Sequence, residues 1–390
     1  MAALQQMQVR SGGGRMAAMA SSAIVPVPLD WLGAEALEGW LCPASLLAGS
    51  AAARAIDGGW ALPLAGGPRG FAAVELLARR DESVLSALAP IAALRRWASA
   101  RGKEFERVIE ARLEALAAPR TDWAGLSLAR PLVMGIVNVT PDSFSDGGRY
   151  IAADAAVAHG RALLDAGADL LDIGGESTRP GAAPVAPEEE IRRIEPVLRA
   201  LVASGVPVSI DTRHAAVMAI ALDLGARVVN DVSALTGRGS IETVARAGAS
   251  VVLMHMQGEP ATMQRDPRYG FAPLDVLEAL AARVEACEAA GIPRARIVID
   301  PGIGFGKTPT HNLQILSRLA LFHALGAGVM VGLSRKSLVG RIAAAAADAR
   351  LPGSLAGALD AVRKGAQIVR VHDVAETRQA LLLQAAIDGA

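Results

Sequence analysis

Asp211, Asn230 and Asp300 each close a short apolar run, in VPVSIDT, RVVND and RIVIDPG. Acceptors of this kind suit a flat heterocycle rich in N–H groups, because a buried carboxylate is costly unless its partner supplies donors. A hydrogen bond to a charged group contributes about 1.5–3 kcal/mol, so two or three fix a ligand's orientation. Arg370 and His372 in VRVHD, with Thr178 and Arg179 in GGESTRPG, are the opposite kind of group and suit phosphate oxygens. Asn138, at the head of NVTPDSFSDGG, offers an oxygen to Mg²⁺, which takes few protein ligands and completes its shell with phosphate and water. A donor-rich ring at one end and a phosphate at the other describe group transfer with a phosphate-type leaving group.

Each signal has a plainer counterpart. Asp211-Thr212 reads equally as a helix cap, Asn230-Asp231 as a turn, and His255 between two methionines as a packed core histidine. Capping does not account for Arg370, His372, Lys336 and the Gly-Phe-Gly-Lys stretch together. In DPGIGFGK, glycines interleaved with Lys307 mark a loop that approaches a ligand, and SRKS sets Lys336 and Ser337 beside a second cation and hydroxyl.

These residues need a common scaffold. Eight runs rich in Val, Ile and Leu recur from residue 131 onward: 132–137, 170–173, 206–210, 227–230, 250–254, 296–299, 328–333 and 367–371. Helical patterns lie between them, as at 153–166, 188–203, 215–224, 241–247, 273–290 and 313–319. Buried parallel strands read as continuous apolar runs, and strands alternating with helices imply right-handed βαβ units. Eight units in about 260 residues predict an α/β fold, a (β/α)₈ TIM barrel; an open doubly wound sheet usually has fewer strands. Every predicted strand then delivers a polar side chain at its C-terminal end, where barrels build their sites.

Residues 31–130 differ in character. They are rich in Ala, Leu and Arg, with helices predicted over 75–94 and 103–117 and glycine-marked turns at 58–70. They read as a small α-rich accessory domain ahead of a barrel at 131–390. Residues 1–30 read as a flexible, glycine-containing start, although their lack of acids before Asp30 overlaps with targeting segments.

Composition narrows the function. With 39 Lys+Arg against 39 Asp+Glu, the chain lacks the cationic surplus that drives nucleic-acid binding, and 3% aromatics supply few stacking platforms. No apolar stretch is long enough to cross a bilayer. Two cysteines, Cys42 and Cys287, form neither a disulfide framework nor a metal cluster, which fits a reducing, cytoplasmic setting.

MGIVNVTPDSFSDGG and DIGGESTRPGA, followed in order by SIDT, NDVSA, LMHMQG, DPGIGFGKT, GLSRKS and VRVHD, resemble the dihydropteroate synthases from about Pro131 to the C-terminus. The resemblance implies a usually dimeric TIM barrel, the target of sulfonamides. It would join 6-hydroxymethyl-7,8-dihydropterin diphosphate to 4-aminobenzoate with Mg²⁺, giving 7,8-dihydropteroate and diphosphate. It also implies that Asp211, Asn230, Asp300 and Lys336 hold the pterin. Asn138, Thr178, Arg179, Arg370 and His372 would bind diphosphate, with Mg²⁺ at Asn138. Thr178, Arg179, Pro180, Phe305, Lys336 and Ser337 would shape the aminobenzoate pocket. Asp172 would stabilise a pterin cation, alongside Asp211, Lys336 and Arg370, rather than act as a base. Loops at 140–148 and 176–181 would close over the site. A related barrel that transfers methyl from methyltetrahydrofolate to a corrinoid protein would share the pterin face but would not need STRPG, SRKS and the Arg/His pair together. A paralogue that binds pterin without synthesis is the non-enzymatic reading. The extension carries no recognisable pyrophosphokinase or aldolase motif, and its role is left open.

Overall fold

In the computed structural model the described residues are 24–139, 149–177 and 182–389. The chain opens with β1 (Ile24–Pro26), β2 (Trp40–Leu47), α1 (Gly49–Asp57), β3 (Leu62–Pro63), β4 (Gly70–Arg80) and β5 (Ser83–Pro90). Helices α2 (Ile91–Arg101) and α3 (Lys103–Ala117) follow. The strands form one sheet, ordered β1-β5-β4-β2 with β3 also on β4.

Here the structure corrects one expectation: residues 75–94 are not a helix. They lie mostly in the β4–β5 hairpin, with Arg80 opposite Ser83 and Arg79 opposite Val84. Asp81 makes the two-residue turn in a left-handed conformation, φ +52°, which Asp tolerates better than most residues. Local propensity in this Ala-, Leu- and Glu-rich stretch favours helix, but β4 is central and pairs with β2, β3 and β5. Non-local pairing and burial of Phe71, Val74, Leu76 and Leu85 outweigh that propensity. The extension is therefore a mixed sheet-and-helix unit with its own core, which α3 closes with Ile109, Leu113 and Leu116.

The rest is a closed barrel of eight parallel strands. These are β6 (Leu132–Asn138), β7 (Leu170–Gly174), β8 (Val208–Asp211), β9 (Val228–Asp231), β10 (Ser250–Met254), β11 (Ile297–Asp300), β12 (Gly328–Val331) and β13 (Ile368–Val371). Helices α4 (Arg149–Asp165), α5 (Pro187–Val202), α6 (Ala215–Asp223), α7 (Ser240–Ala247), α8 (Ala272–Ala289) and α9 (Pro309–Ser317) follow the first six strands in turn. Helices α10 (Ser337–Ala343) and α11 (Leu351–Arg363) follow β12, and α12 (Val374–Gly389) follows β13.

The strand period of two divides the barrel interior into an apolar floor and a polar mouth. Leu170, Val228, Val298 and Ile368 pack in one cluster with Leu132, Met134, Val252 and Met330. Two positions further along the same strands stand Asp172, Asn230, Asp300 and Arg370. Trp123, just before the first barrel strand, joins the floor cluster, and its Nε1 donates to the Arg296 carbonyl at 3.1 Å. The segment that leads out of the extension thus plugs the end opposite the mouth.

Candidate active site

Strand register brings the mouth residues level. Asn138 on β6 pairs with Gly174 on β7, Gly174 with Asp211 on β8, and Asp211 with Asn230 on β9. A cleft of about 640 Å³ opens above them, lined among others by Asn138, Asp211, Phe305, Lys336, Ser337, Arg370 and His372. Gly332 brings three further elements to one point. A Cβ there would lie 3.8 Å from the Lys336 Nζ and the Arg370 Cβ, and 3.9 Å from the Asp300 Oδ2.

Arg370 is the hub of the polar mouth. Its Nε donates to the Asp172 Oδ2 at 2.6 Å and its Nη2 to the Asp211 Oδ2 at 2.6 Å. Asn230 donates from Nδ2 to the same Asp172 oxygen at 2.9 Å. Burial opposes the guanidinium charge, but the two carboxylates hold its pKa above its ordinary range. Burial pushes the Asp211 carboxyl up, with Asp172 and Asp231 adding to the rise and Arg370 opposing it. Among the described residues, Asp172 and Asp211 each keep one buried oxygen, Oδ1, without a hydrogen-bond partner. Asp172 is fully buried, so it orients Arg370 and Asn230 from beneath the cleft.

The opposite wall comes from β11 and β12. Asp300, buried, accepts the Gly302 N–H through Oδ1 at 2.7 Å, and burial raises its pKa against the pull of Lys336. Lys336 donates to the Ile303 carbonyl and lies with Nζ 4.7 Å from the Phe305 ring centroid. Burial lowers its pKa to about 8, although Asp300 works the other way. At the rim, the His372 backbone N–H donates to the Ser334 Oγ at 3.1 Å, and the His372 Nδ1 lies 3.1 Å from the same oxygen.

In the loop expected to approach a ligand, Gly304 and Phe305 line the cleft, whereas Lys307 turns inward. Its amine is buried and reaches the His255 and Gly302 carbonyls, the Phe305 carbonyl and the His255 Nδ1, all at 3.0–3.1 Å. Burial lowers the Lys307 pKa to about 7 and, with Lys307 adding to it, that of His255 to about 3. The pair knits the loops after β10 and β11 together. Two glycines make this approach possible: a Cβ on Gly302 would lie 1.9 Å from the His255 carbonyl oxygen, and one on Gly306 2.4 Å from that of Gln257.

Asn138, Asp172, Asp211, Asn230, Asp300, Phe305, Lys336, Ser337, Arg370 and His372 therefore gather around one mouth. Thr178, Arg179 and Pro180, with the loop at 140–148, lie outside the described residues. Sequence reasoning did not single out Gly332, Met263 or Glu176 individually, all of which line the cleft. The signal for Gly332 was its place two residues beyond Met330 on an inward-facing row.

The sequence matches the family described as pterin binding enzyme over residues 134–372. It is 46% identical to dihydropteroate synthase of Escherichia coli strain K12, over 66% of this chain and 91% of that protein. To the Neisseria meningitidis serogroup C dihydropteroate synthase it is 50% identical, over 66% and 92%. Among solved structures, Xanthomonas albilineans dihydropteroate synthase with 4-aminobenzoic acid aligns at TM-score 0.66 and 48% identity, covering 70% of this chain and 99% of that one. The same enzyme in complex with 7,8-dihydropteroate aligns at TM-score 0.64 and 46% identity, covering 70% and 100%. A barrel with a buried Asp/Asn/Lys floor, an Arg/His rim and these relatives belongs to the pterin-binding enzymes, among the dihydropteroate synthases.

Proposed function

We propose a division of the cleft into a pterin floor, a diphosphate rim and a 4-aminobenzoate shelf. The reaction is the condensation of (7,8-dihydropterin-6-yl)methyl diphosphate with 4-aminobenzoate, giving 7,8-dihydropteroate and diphosphate in folate synthesis. The observation that supports the floor is the Asp211 Oδ1, a buried acceptor without a hydrogen-bond partner among the described residues. An unsatisfied buried acceptor costs about 1–3 kcal/mol, which an N–H-rich ring would relieve. Asp211, Asn230 and Asp300 accept from that ring, and Lys336 holds its carbonyl side.

Arg370 and His372 hold the departing diphosphate, Arg370 with the N–H groups that Asp172 and Asp211 leave free. The donors at the rim fit Mg²⁺ in one way. Asn138 presents a neutral oxygen at the cleft wall, whereas Asp172 and Asp211 already pair with Arg370. An ion held mainly by diphosphate and water, with Asn138 as its protein ligand, matches that supply. When bound, Mg²⁺ would neutralise charge on the leaving group. Thr178 and Arg179 are assigned to the same anion by resemblance.

Phe305, the Lys336 stem and Ser337 form the shelf, with Thr178, Arg179 and Pro180 assigned to it by resemblance. As the bond to diphosphate breaks, positive charge develops on the pterin, and the Asp172/Asp211 carboxylates beneath it are preorganised to stabilise that charge. The aniline nitrogen then forms the new bond to carbon and loses a proton, with no covalent enzyme intermediate. We take the working form to be a cytoplasmic homodimer that binds small molecules and neither nucleic acid nor membrane. Among the described residues no helix is long and apolar enough to cross a membrane. Residues 31–130 form an accessory domain of open role ahead of the barrel domain at 131–390.

Incubating the purified chain with the pterin diphosphate, Mg²⁺ and 4-aminobenzoate tests the whole reading. Diphosphate release that depends on the aniline is the expected result. Release that ignores the aniline, or methyl transfer from methyltetrahydrofolate, would replace it.

A further inference from the structure

A second group of ligating side chains lies at the edge of the mouth, apart from the pterin and diphosphate positions. Glu176 follows the end of β7, Glu190 sits in the first turn of α5, and His214 directly precedes α6. One ligand atom from each lies within 4.8 Å of the others. Gly175 permits the approach: a Cβ there would meet the Glu190 Cγ at 2.9 Å and the Ile194 Cγ2 at 2.8 Å.

The hydrogen bonding of this cluster is incomplete. Glu190 is fully buried, and among the described residues neither carboxylate oxygen has a partner in good hydrogen-bonding geometry, although the Thr212 side chain is near enough to favour its charged form. Among the described residues the buried His214 Nε2 also has no hydrogen bond, and it lies 3.7 Å from the Glu176 Oε2. Within the cluster Glu176 is the paired member: it accepts from the Arg213 Nε and Nη2 at 3.0 and 3.1 Å and from the Val185 N–H at 3.1 Å, while the Arg213 Nη1 reaches Glu259 at 3.2 Å. Buried polar groups in native proteins are nearly always satisfied, and buried charges are paired or coordinate metals.

Two carboxylates and an imidazole form the mixed oxygen–nitrogen donor set that zinc-class ions accept, whereas Mg²⁺ prefers oxygen and water alone. We propose that Glu176, Glu190 and His214 bind a divalent transition-metal ion of the zinc class, separate from the Mg²⁺ that accompanies diphosphate. The ion ties the segment after β7 to the loop between β8 and α6. Glu176 itself lines the cleft, and Asp211 lies three residues before His214, so the tie fixes one edge of the pterin floor.

The test uses the full chain, stripped with a chelator and titrated with Zn²⁺ alone, without Mg²⁺ or substrate. Calorimetry should give about one ion per chain, and Co²⁺ in its place should develop visible absorption bands. Glu190→Gln, nearly isosteric, and His214→Ala should each weaken Zn²⁺ binding by more than about tenfold, the loss that even outer-shell partners produce. Should Glu190→Gln fail to fold, the partly exposed His214 carries the comparison. No saturable binding, or unchanged affinity in the variants, overturns the proposal and leaves Glu190 as a buried acid carrying its proton. Because binding is read without substrate, this result is independent of whether the cleft synthesises dihydropteroate.

Discussion

The barrel mouth and the amino-terminal sheet are built on opposite principles. In the amino-terminal unit, Phe71, Val74, Leu76, Leu85, Leu94 and Leu113 fill a core with apolar contact, and the charges of β4 pair with the barrel domain, Glu75 with Arg318 and Arg79 with Asp275 and Glu278. In the mouth, Asp172, Asp211, Asn230, Asp300, Lys336 and Arg370 occupy a comparably central place. Burial there works against the charged forms of Asp211, Asp300 and Lys336. Among the described residues, the Oδ1 atoms of Asp172 and Asp211 have no hydrogen-bond partner. Nothing in the economy of folding asks for that arrangement, since buried ion pairs are often no more stabilising than apolar residues of the same size. The contrast teaches where to look for function: in the region where the stability argument fails.

Substitutions sharpen that contrast. Arg370→Ala should have the largest effect, because it removes the partner of Asp172 and Asp211 together with the proposed diphosphate ligand. We expect kcat to fall about 10²–10³-fold. Diphosphate affinity measured by calorimetry should fall with it, and an unchanged affinity would remove Arg370 from the rim. Trp123→Ala belongs to the other end of the barrel and should cost about 3–5 kcal/mol of stability in chemical denaturation, with kcat nearly unchanged in the folded fraction. A large loss of kcat there would mean that floor and mouth are not separable. A chain beginning after the extension but before Trp123 should still melt cooperatively; loss of that transition would show that the extension and barrel fold as one unit.

Asp300→Ala should weaken pterin binding roughly 10- to 150-fold, the equivalent of one hydrogen bond to a charged group, by calorimetry. Lys336 gives a pH test with two signs. Its pKa of about 8 lies below the usual 10.5, so activity that needs the ammonium should decline as pH rises through about 8, and Lys336→Met should lose that limb. Over the same range, the unfolded chain still holds the proton that the folded chain releases. The contribution of Lys336 to stability therefore rises between about pH 8 and 10.5 while activity falls. Denaturation midpoints of the parent and Lys336→Met chains across that window would reveal the opposite trends. The smallest effect should come from Arg79→Ala, whose part-exposed pairs with Asp275 and Glu278 hold less than about 1 kcal/mol. A larger drop in melting temperature would mark this contact as a real seam between sheet and barrel.

Much of the barrel was legible because each buried parallel strand must be a continuous apolar run, and each such run ended in a residue that no core requires. The hairpin at 70–90 was not legible, since Ala, Leu, Glu and Arg favour helix locally and only pairing with β2 and β5 decides otherwise. Lys307 and Trp123 were hidden for a related reason. A lysine that ends among carbonyls of two loops and a tryptophan that plugs a barrel floor are defined by neighbours far away in the chain.

The sequence by itself determined the barrel, its strand ends and the chemical types collected there, because strand period and residue type are local properties. Only the tertiary structure decided that one guanidinium holds two carboxylates from different strands, that Lys307 faces inward, and that the Glu190 carboxyl lies buried beside Glu176 and His214. Those depend on distances across the barrel and on exclusion of water, and no local pattern encodes either.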